Sequence, residues 1–354
     1  MRELQAFSGA TLLVVGGAGF VGSNLCELLL RSDLKLLTIV DNFLSAEKTN
    51  VAVDRRVHLI EGSIADEAVL RQVPEHLDYV WHLACYHGNQ SSIANPIADH
   101  DNNTITSLKL FQLLSGRDNV KKVVYAAAGC AVAEKTYGAP LETSEDAPVS
   151  LFHDSPYSIS KLVGEMYGNY FFTQHKMPFV KARFQNVYGP REILGAGKWR
   201  GTPATVWRNV TPTFVWKSLN GEALPLDNAG ETSRDFIFVG DICRGLVACA
   251  LAGLPGEAYN LATGREILIR NWASMINEIT GNVAAVELKP ARPWDNSGRR
   301  FGSTTKSESE LGFVAMVQAR DGLTETVNWT LNHRELIART IARHNTEMQR
   351  YSQI

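Results

Sequence analysis

The stretch TLLVVGGAGFVGSN, residues 11–24, decides how the rest of the sequence is interpreted. It begins with a short apolar run, passes through the spacing G-x-x-G-x-x-G at Gly16, Gly19 and Gly22, and ends in a helical pattern. Residues without a side chain permit a tight turn and let the main chain approach a pyrophosphate, and the N-terminus of the next helix attracts anions. The stretch predicts a dinucleotide-binding turn, with a plain glycine-rich strand-to-helix turn as the alternative.

Two later positions favour the dinucleotide. Asp41 ends the second predicted strand, where a carboxylate can accept hydrogen bonds from both ribose hydroxyls of adenosine and repel a 2′-phosphate. Ser63 and Ile64 follow the third predicted strand, where the adenine ring is expected. We therefore predict NAD, rather than NADP, as the cofactor.

Strand-like and helix-like segments alternate through the first half of the chain. The predicted strands are residues 11–15, 36–40, 57–60, 79–83, 120–126 and 178–183, and the predicted helices are residues 20–30, 104–114 and 156–175. Alternation of this kind implies right-handed crossovers and a parallel sheet covered on both faces. The expected fold class is α/β, a Rossmann-type doubly wound parallel sheet with a smaller mixed α/β C-terminal substrate domain.

The amino-acid composition changes after residue 189, where prolines, glycines and tryptophans become frequent. We expect a substrate domain there, placed over the carboxyl ends of the sheet, because ligands of open α/β sheets bind at those ends. The predicted division is a cofactor domain at 1–186 to which 239–260 returns, a substrate domain at 187–238 and 261–346, and a tail at 347–354.

Tyr157 and Lys161, in YSISK, lie four residues apart and therefore share one face of a predicted helix. A phenol with a pKa near 10 is a poor base at neutral pH, but a neighbouring ammonium and the positive charge of oxidised nicotinamide both favour the phenolate. We predict Tyr157 as the proton acceptor and Lys161 as the group that tunes it and binds the ribose. A surface cation beside a half-buried ring is the alternative.

Seven ordered segments resemble the extended short-chain dehydrogenase/reductase family, specifically its NAD-dependent nucleotide-sugar epimerases and dehydratases. They are VGGAGFVGSN (15–24), DN (41–42), WHLAC (81–85), YSISK (157–161), RFQNVYGPRE (183–192), SRDFIFVGDI (233–242) and RRFGSTTKSESELGF (299–313). The resemblance implies hydride transfer between a sugar carbon and NAD while the tyrosine takes the hydroxyl proton. It predicts an epimerase of a nucleotide-linked hexose, with UDP as the expected nucleotide, carbon 4 as the expected centre, and lipopolysaccharide O-antigen assembly as a setting.

The resemblance also assigns binding residues. Asn186 and Arg234 are expected to hold the nucleotide diphosphate, with Arg299 or Arg300 assisting, because the planar guanidinium suits phosphate. His87 is a weaker candidate for a contact to sugar or pyrophosphate. The residues expected to contact NAD are Gly16, Gly19, Phe20, Val21, Gly22, Asp41, Asn42, Ser63, Ile64, Leu83, Ala84, Tyr157 and Lys161.

One segment departs from the family pattern. Relatives usually carry a Ser or Thr that hydrogen-bonds the reacting hydroxyl, followed in dehydratases by acids, whereas residues 126–132 read AAAGCAV. Our alignment places Gly129 at the Ser/Thr position and Cys130 beside it. Without an acid to protonate a leaving hydroxyl, dehydration is disfavoured and epimerisation is favoured. The missing hydrogen bond is then expected from Cys130, a water, or a side chain such as Thr136; small residues that only make room are the alternative.

Two other activities stay open at this point. A nucleotide-sugar 4,6-dehydratase or decarboxylase is the alternative within enzymes, and a catalytically impaired protein that binds NAD and nucleotide sugar is the second alternative. Residues 195–209, with Trp199, Arg200, Trp207 and Arg208, are interpreted either as a lid that contacts an acidic sugar or as a packed surface loop.

Composition excludes several classes of protein. With 35 Lys and Arg against 37 Asp and Glu, the formal charge of −2 argues against broad nucleic-acid binding. The five scattered cysteines without a CxxC pair argue against a disulfide framework and a zinc site. No apolar run approaches the roughly 20 residues of a membrane helix. We predict a cytoplasmic protein without metal, and, from apolar residues around much of the helices at 104–114 and 156–175, a homodimer.

Overall fold

The computed structural model describes residues 3–132, 136, 138–295 and 298–353, with the backbone but not the side chain of Cys130. The strands are β1 (Thr11–Val15), β2 (Leu36–Asp41), β3 (Val57–Glu61), β4 (Tyr79–His82), β5 (Lys122–Ala128), β6 (Glu142–Thr143), β7 (Phe179–Phe184), β8 (Asn186–Tyr188), β9 (Pro225–Asp227), β10 (Ser233–Arg234), β11 (Phe236–Phe238), β12 (Ala258–Leu261), β13 (Ile267–Leu268), β14 (Glu287–Lys289) and β15 (Phe301–Gly302).

Helices alternate with these strands in the first half of the chain and dominate its end. They are α1 (Phe20–Leu29), α2 (Glu67–Leu70), α3 (Asn89–Ala94), α4 (Pro96–Asp99), α5 (Thr106–Leu114), α6 (Pro156–His175), α7 (Val210–Leu219), α8 (Val239–Leu251), α9 (Ile269–Thr280), α10 (Thr305–Leu311), α11 (Ala319–Asn332), α12 (Arg334–Ala342) and α13 (Asn345–Tyr351). None of the described helices is long and apolar enough to cross a membrane.

The large sheet has seven strands in the order β12-β7-β5-β4-β1-β2-β3, and every neighbouring pair is parallel. Strand β1 lies centrally, with Val15 paired to Val40 on one side and to His82 on the other. This arrangement confirms the predicted doubly wound α/β fold. The strand β12, from the second half of the chain, forms one edge of the sheet and packs beside α8.

Helices cover both faces of this sheet, which explains why all five residues of β1 are buried. Alternate side chains of a strand point to opposite faces. Leu12 and Val14 belong to a hydrophobic cluster that includes residues of α1 and α8. Leu13 and Val15 belong to a second cluster that includes residues of α5 and α6. The sheet is therefore held between two apolar layers, and its carboxyl edge is left for the loops that build the site.

Helix α6 is fixed at its start and along its length. The Ser155 hydroxyl caps it by accepting the Ser158 N–H at 3.3 Å, and Pro156 occupies the first turn, where its missing N–H costs nothing. Further along, Arg183 of β7 makes two hydrogen bonds to the Glu165 carboxylate, at 3.0 and 2.8 Å. Both side chains of this ion pair are buried. The first turn of α6 is thus held at the carboxyl edge of the sheet.

Candidate active site

A cavity of about 720 Å³ lies at the carboxyl ends of the central strands. Its lining includes the loops after β1, β2, β3 and β4 and the last three residues of β5 on one side, and residues of α7, β9 and β10 on the other. Binding sites for small molecules and cofactors have volumes of this order. Within the described residues, no group of three or more His, Cys, Asp or Glu side chains could hold a metal ion.

The turn after β1, residues 16–22 and called the β1 turn below, leaves no room for a side chain at Gly16 or Gly22. Gly16 has φ +86°, and a Cβ on it would lie 2.5 Å from the Ala84 nitrogen. A Cβ on Gly22 would meet the carbonyl oxygen of Gly16 well inside 3.0 Å. Helix α1 then begins at Phe20 without a side-chain cap at Gly19. The cavity wall here is a bare helix N-terminus, which suits the pyrophosphate of a dinucleotide.

Asp41 lies beside this turn and is 8% exposed. Its carboxylate accepts the Ala18 N–H at 3.0 Å and the Phe43 N–H at 2.9 Å. Burial raises its pKa, while the hydrogen bonds from Phe43 and Ala18 act in the opposite direction. Asp41 therefore shapes the loops on both sides of it as well as lining the cavity. Each carboxylate oxygen has a second lone pair, so the carboxylate can still accept a ribose hydroxyl.

The other residues predicted to contact the cofactor line the same cavity. They are Phe20, Val21, Asn42, Ser63, Ile64, Leu83 and Ala84. The close-packed glycines of the β1 turn, the uncapped N-terminus of α1 and the Asp41 carboxylate together suit the binding of NAD.

Tyr157 and Lys161 lie in the first turns of α6 and both line this cavity. The Lys161 ammonium is 3% exposed, donates to the Ala126 carbonyl oxygen at 2.9 Å, and lies 5.1 Å from the centroid of the Tyr125 ring. The Tyr157 N–H donates to the Ser92 hydroxyl at 3.2 Å, which fixes the start of the helix against α3. A buried cation held at a fixed position favours a nearby anion, so the arrangement suits a tyrosine that must release its proton.

The His87 ring packs edge-on against the Tyr157 ring, with centroids 5.7 Å apart. Burial, together with the positive charges of Arg200, Arg208 and Lys161, lowers the pKa of His87 to about 3. This imidazole is therefore neutral at working pH and can take part only as a hydrogen-bonding group or by packing.

The carboxyl end of β5, residues 126–129 and called the β5 end below, differs from what the sequence led us to expect. Ala126, Ala127 and Ala128 line the cavity, whereas Gly129 is not among the described lining residues. A Cβ on Gly129 would meet the side-chain nitrogen of Gln185 well inside 3.0 Å. The side chain of Cys130 lies outside the described residues.

Gln185 lines the cavity beside the β5 end and was not predicted from the sequence. Thr136, the side chain proposed for the missing hydrogen bond, instead accepts the Gly138 N–H at 3.1 Å and is not among the described lining residues. The available signal was a polar glutamine directly after a predicted strand, inside the segment RFQNVYGPRE.

The opposite side of the cavity, called the cationic wall below, contains Asn186, Arg234 and Arg300 as predicted. The Arg234 guanidinium donates to the carbonyl oxygens of Ser233 at 2.6 Å and Gly298 at 3.0 Å, and lies 4.0 Å from Asp295. Three further cations line this wall without having been predicted. They are Lys217, Lys289 and Arg292.

Arg299, the alternative to Arg300, is not among the described residues that line the cavity. Its guanidinium forms an ion pair with Glu266. Adjacent residues of an extended segment point to opposite sides, so only one of the two arginines can face the site. Arg300 therefore lines the cavity while Arg299 is paired with Glu266, and a role of either arginine in holding the diphosphate stays a prediction.

Residues 195–209, called the bridging segment below, connect two loops that flank the cofactor side. Arg208 donates to the Ser45 carbonyl oxygen at 2.7 Å, in the loop after β2. Arg200 donates to the His87 carbonyl oxygen at 2.8 Å, in the loop after β4. Trp207 and Arg208 also line the cavity. The segment is thus packed against both loops and lines the cavity, whereas a contact between it and an acidic sugar stays a prediction.

Glu192 precedes this segment and lines the cavity although it is only 6% exposed. Its carboxylate accepts a hydrogen bond from Asn209, and its other oxygen has no hydrogen-bond partner among the residues that the structure describes. Burial raises the pKa of Glu192 to about 7.

Comparison with known proteins agrees with this geometry. Residues 12–262 match the model of the NAD dependent epimerase/dehydratase family. The structure of the Bordetella bronchiseptica enzyme WbmF in complex with NAD+ and UDP is 50% identical, with a TM-score of 0.88 over 98% of this chain and 99% of that one. The epimerase Mth375 from Methanothermobacter thermautotrophicus is 37% identical, with a TM-score of 0.88 over 96% of this chain and 97% of that one.

A third similar structure is the UDP-glucose 4-epimerase of Thermotoga maritima with UDP-glucose. It is 28% identical, with a TM-score of 0.81 over 92% of this chain and 99% of that one. The predicted fold, family and cofactor are confirmed. The chain belongs to the NAD-dependent epimerase/dehydratase family, and its cofactor is NAD.

Proposed function

We propose that this protein is an epimerase that inverts carbon 4 of a UDP-linked hexose by transient oxidation to a keto-sugar and re-reduction. The observation that carries the proposal is that Tyr157 and Lys161 share one continuous cavity with the β1 turn and with the cationic wall. Bound NAD supplies a reversible hydride acceptor. The protein itself has to bind the diphosphate, orient the sugar and move one proton.

Tyr157 takes the proton of the reacting hydroxyl and returns it after the sugar has turned its other face towards the cofactor. The Lys161 ammonium stabilises the phenolate between these two events, because it is held by the Ala126 carbonyl oxygen and cannot move away. Asn186, Arg234 and Arg300 hold the diphosphate. The sugar is attached only through that diphosphate, so it can rotate while the anchor stays bound.

The β5 end favours epimerisation over dehydration or decarboxylation. Loss of water requires an acid beside the leaving hydroxyl. The described side chains that line this wall after β5 are the methyl groups of three alanines. Hydride and proton shuttling require no such acid.

UDP is proposed as the nucleotide because the WbmF structure contains UDP and the Thermotoga maritima structure contains UDP-glucose. A homodimer is proposed because Ile159, Met166 and Tyr170 on α6 are 48%, 56% and 52% exposed, which leaves an apolar face for a second copy. A role in O-antigen assembly and a cytoplasmic location stay predictions from the sequence.

The test is to incubate the purified protein with a panel of UDP-sugars, without added cofactor, and to analyse the products by NMR. Formation of the carbon 4 epimer supports the proposal. A 4-keto-6-deoxy sugar or a pentose would instead indicate dehydratase or decarboxylase activity, and an unchanged sugar despite measurable binding would indicate an impaired relative. Each of these two results contradicts the proposal.

The variant Tyr157→Phe tests the proton transfer separately. We expect turnover to fall about 10³-fold while the content of bound NAD stays the same, because only the phenol oxygen is removed. Tyr351→Phe is the matched control, since Tyr351 is 46% exposed on α13. Activity retained in Tyr157→Phe would remove this residue as the base.

A further inference from the structure

The β5 end supplies no polar side chain to the cavity, yet the space above it is filled. Strands β5 and β7 pair in parallel with Ala128 opposite Phe184, so Gly129 and Gln185 leave the sheet side by side at its carboxyl edge. A Cβ on Gly129 would meet the carboxamide nitrogen of Gln185. The volume that a side chain at position 129 would occupy is thus taken by the amide of Gln185.

A second glycine leaves room for the same amide. A Cβ on Gly302, in β15, would lie 2.8 Å from the Gln185 carboxamide nitrogen. Neither Gly129 nor Gly302 has a φ in the left-handed region, so neither position needs glycine for its backbone conformation. Two glycines from distant parts of the chain therefore both leave room for the same carboxamide, although a Cβ on Gly302 would also meet the Ala262 methyl group at 2.9 Å.

The frame around this amide is fixed by buried hydrogen bonds. The Gln185 N–H donates to the Leu261 carbonyl oxygen at 3.4 Å, and the Asn186 N–H donates to the Asp235 carbonyl oxygen at 2.9 Å. The Asp235 carboxylate is 1% exposed and accepts the Gly302 N–H at 3.3 Å. The backbones on both sides of the carboxamide are thus held to one another.

The carboxamide itself makes no hydrogen bond to any other residue in the part of the chain that the structure describes, although it can donate two and accept two. It is half-buried and lines the same cavity as Tyr157 and Lys161. The amide therefore has hydrogen-bonding capacity that the described residues do not use, and it lines the cavity that a substrate would fill.

We propose that Gln185 is a catalytic residue whose carboxamide donates a hydrogen bond to the oxygen on the reacting sugar carbon, in place of a hydroxyl side chain on the β5 end. The inference rests on the proposed function. As alcohol or as ketone, that oxygen accepts a hydrogen bond, so one donor serves both directions of the reaction. Because an amide does not titrate, its contribution is the same at every working pH.

The first experiment compares Gln185→Leu with the wild-type protein in the NMR assay. We expect kcat to fall about 10²-fold, the usual effect of removing one donor to a reacting oxygen, with NAD content and affinity for UDP unchanged. A kcat within twofold of wild type would overturn the role of Gln185. Loss of NAD or UDP binding in parallel with activity would also overturn it, since the amide would then be structural.

The second experiment moves the donor to the neighbouring strand. Gln185→Ala removes the amide and its steric conflict with position 129, and Gly129→Ser in the same protein adds a hydroxyl at the β5 end. We expect the double variant to regain at least tenfold of the kcat lost in Gln185→Ala alone. If the double variant were no faster than Gln185→Ala, this would contradict the proposal that the Gln185 amide takes the place of a hydroxyl group at the β5 end.

The wild-type reaction separates this inference from the proposed function. If the wild-type protein forms no epimer from any UDP-sugar, the proposed function fails. If wild type and Gln185→Leu form the epimer equally fast, only the role of Gln185 fails.

Discussion

Two ends of parallel strands in this molecule are built from the smallest residues, for different reasons. The β1 turn has glycines because main chain packs against main chain there, with Gly22 against the carbonyl oxygen of Gly16. At the β5 end Gly129 leaves room for the side chain of Gln185, which directly follows β7. Small residues at the first strand end leave the backbone bare for a ligand, whereas at the second they leave room for the protein's own amide.

A glycine or alanine at the end of a strand therefore does not by itself reveal which part of the chain packs against it. Within the β1 turn, Gly22 and the Gly16 carbonyl that it packs against lie only six residues apart, so their spacing alone predicts this contact. At the β5 end the neighbour is 56 residues away in the sequence (129 to 185). Only the pairing of β5 with β7 brings them together.

The largest effect is expected from a methyl group added at each strand end. Gly22→Ala places a Cβ against backbone that cannot move, so we expect a loss of stability of about 3 kcal/mol and nearly complete loss of bound NAD. In Gly129→Ala the methyl meets the end of a flexible side chain, so NAD content should persist and stability should fall by only about 1 kcal/mol.

Thermal unfolding and the absorbance of NAD released on denaturation measure both effects. If Gly22→Ala retained a full complement of NAD, the distinction between the two strand ends would be lost.

A smaller effect is expected from the carboxyl group of Glu192, which lines the cavity. Glu192 has a pKa raised to about 7 by burial, compared with an ordinary value of 4.5. The unfolded state therefore holds this proton less tightly than the folded state, and stability is lost as the pH rises from 4.5 through 7. From pH 5 to pH 8 this carboxyl alone should cost about 2 kcal/mol.

The variant Glu192→Gln should lack the loss of stability that the Glu192 carboxyl causes between pH 5 and pH 8. Denaturant unfolding at pH 5 and pH 8 should show the variant losing about 2 kcal/mol less than wild type over this interval. Glu335→Gln, at an exposed position on α12, is the control and should match wild type. Equal losses in wild type and Glu192→Gln would mean that Glu192 is hydrated rather than buried.

The smallest effect is expected from Arg343, which binds both Glu47 and the bridging segment. Arg343 donates to both oxygens of Glu47, at 2.7 and 3.0 Å, and to the Gly197 carbonyl oxygen at 3.3 Å. An ion pair that is partly exposed contributes at most about 1 kcal/mol. We expect Arg343→Ala to speed NAD release about threefold and to leave kcat unchanged, because the β5 end is untouched.

NAD release can be followed by competition with an excess of a labelled analogue. Arg320→Ala, which breaks an exposed ion pair with Glu278, is the matched control. A changed kcat in Arg343→Ala would show that the bridging segment influences the β5 end as well as the β1 turn.

Much of the fold follows from the sequence because the signals are local. The alternation of strand and helix patterns gives the parallel sheet, and the spacing of Gly16, Gly19 and Gly22 gives the cofactor turn. Pro156 and the i, i+4 spacing place Tyr157 and Lys161 together on the first turns of one helix.

The rest depends on contacts between distant segments. The choice between Arg299 and Arg300 is set by which of two neighbouring side chains faces the cavity, and Glu266 binds the other. The position of Gln185 depends on the pairing of two strands. Arg200 and Arg208 of the bridging segment could not be distinguished from surface charges, because the carbonyl groups they bind belong to loops more than 100 residues away.

The bridging segment has a consequence for how the enzyme relates to its surroundings. An epimerase returns its cofactor to the starting oxidation state in every cycle, and here Arg200 and Arg208 tie the loops after β4 and β2 to the bridging segment. We expect these ties to slow the exchange of bound NAD with the pool of free dinucleotides. The rate of sugar inversion should then be insensitive to whether the surrounding solution is rich in the oxidised or the reduced form.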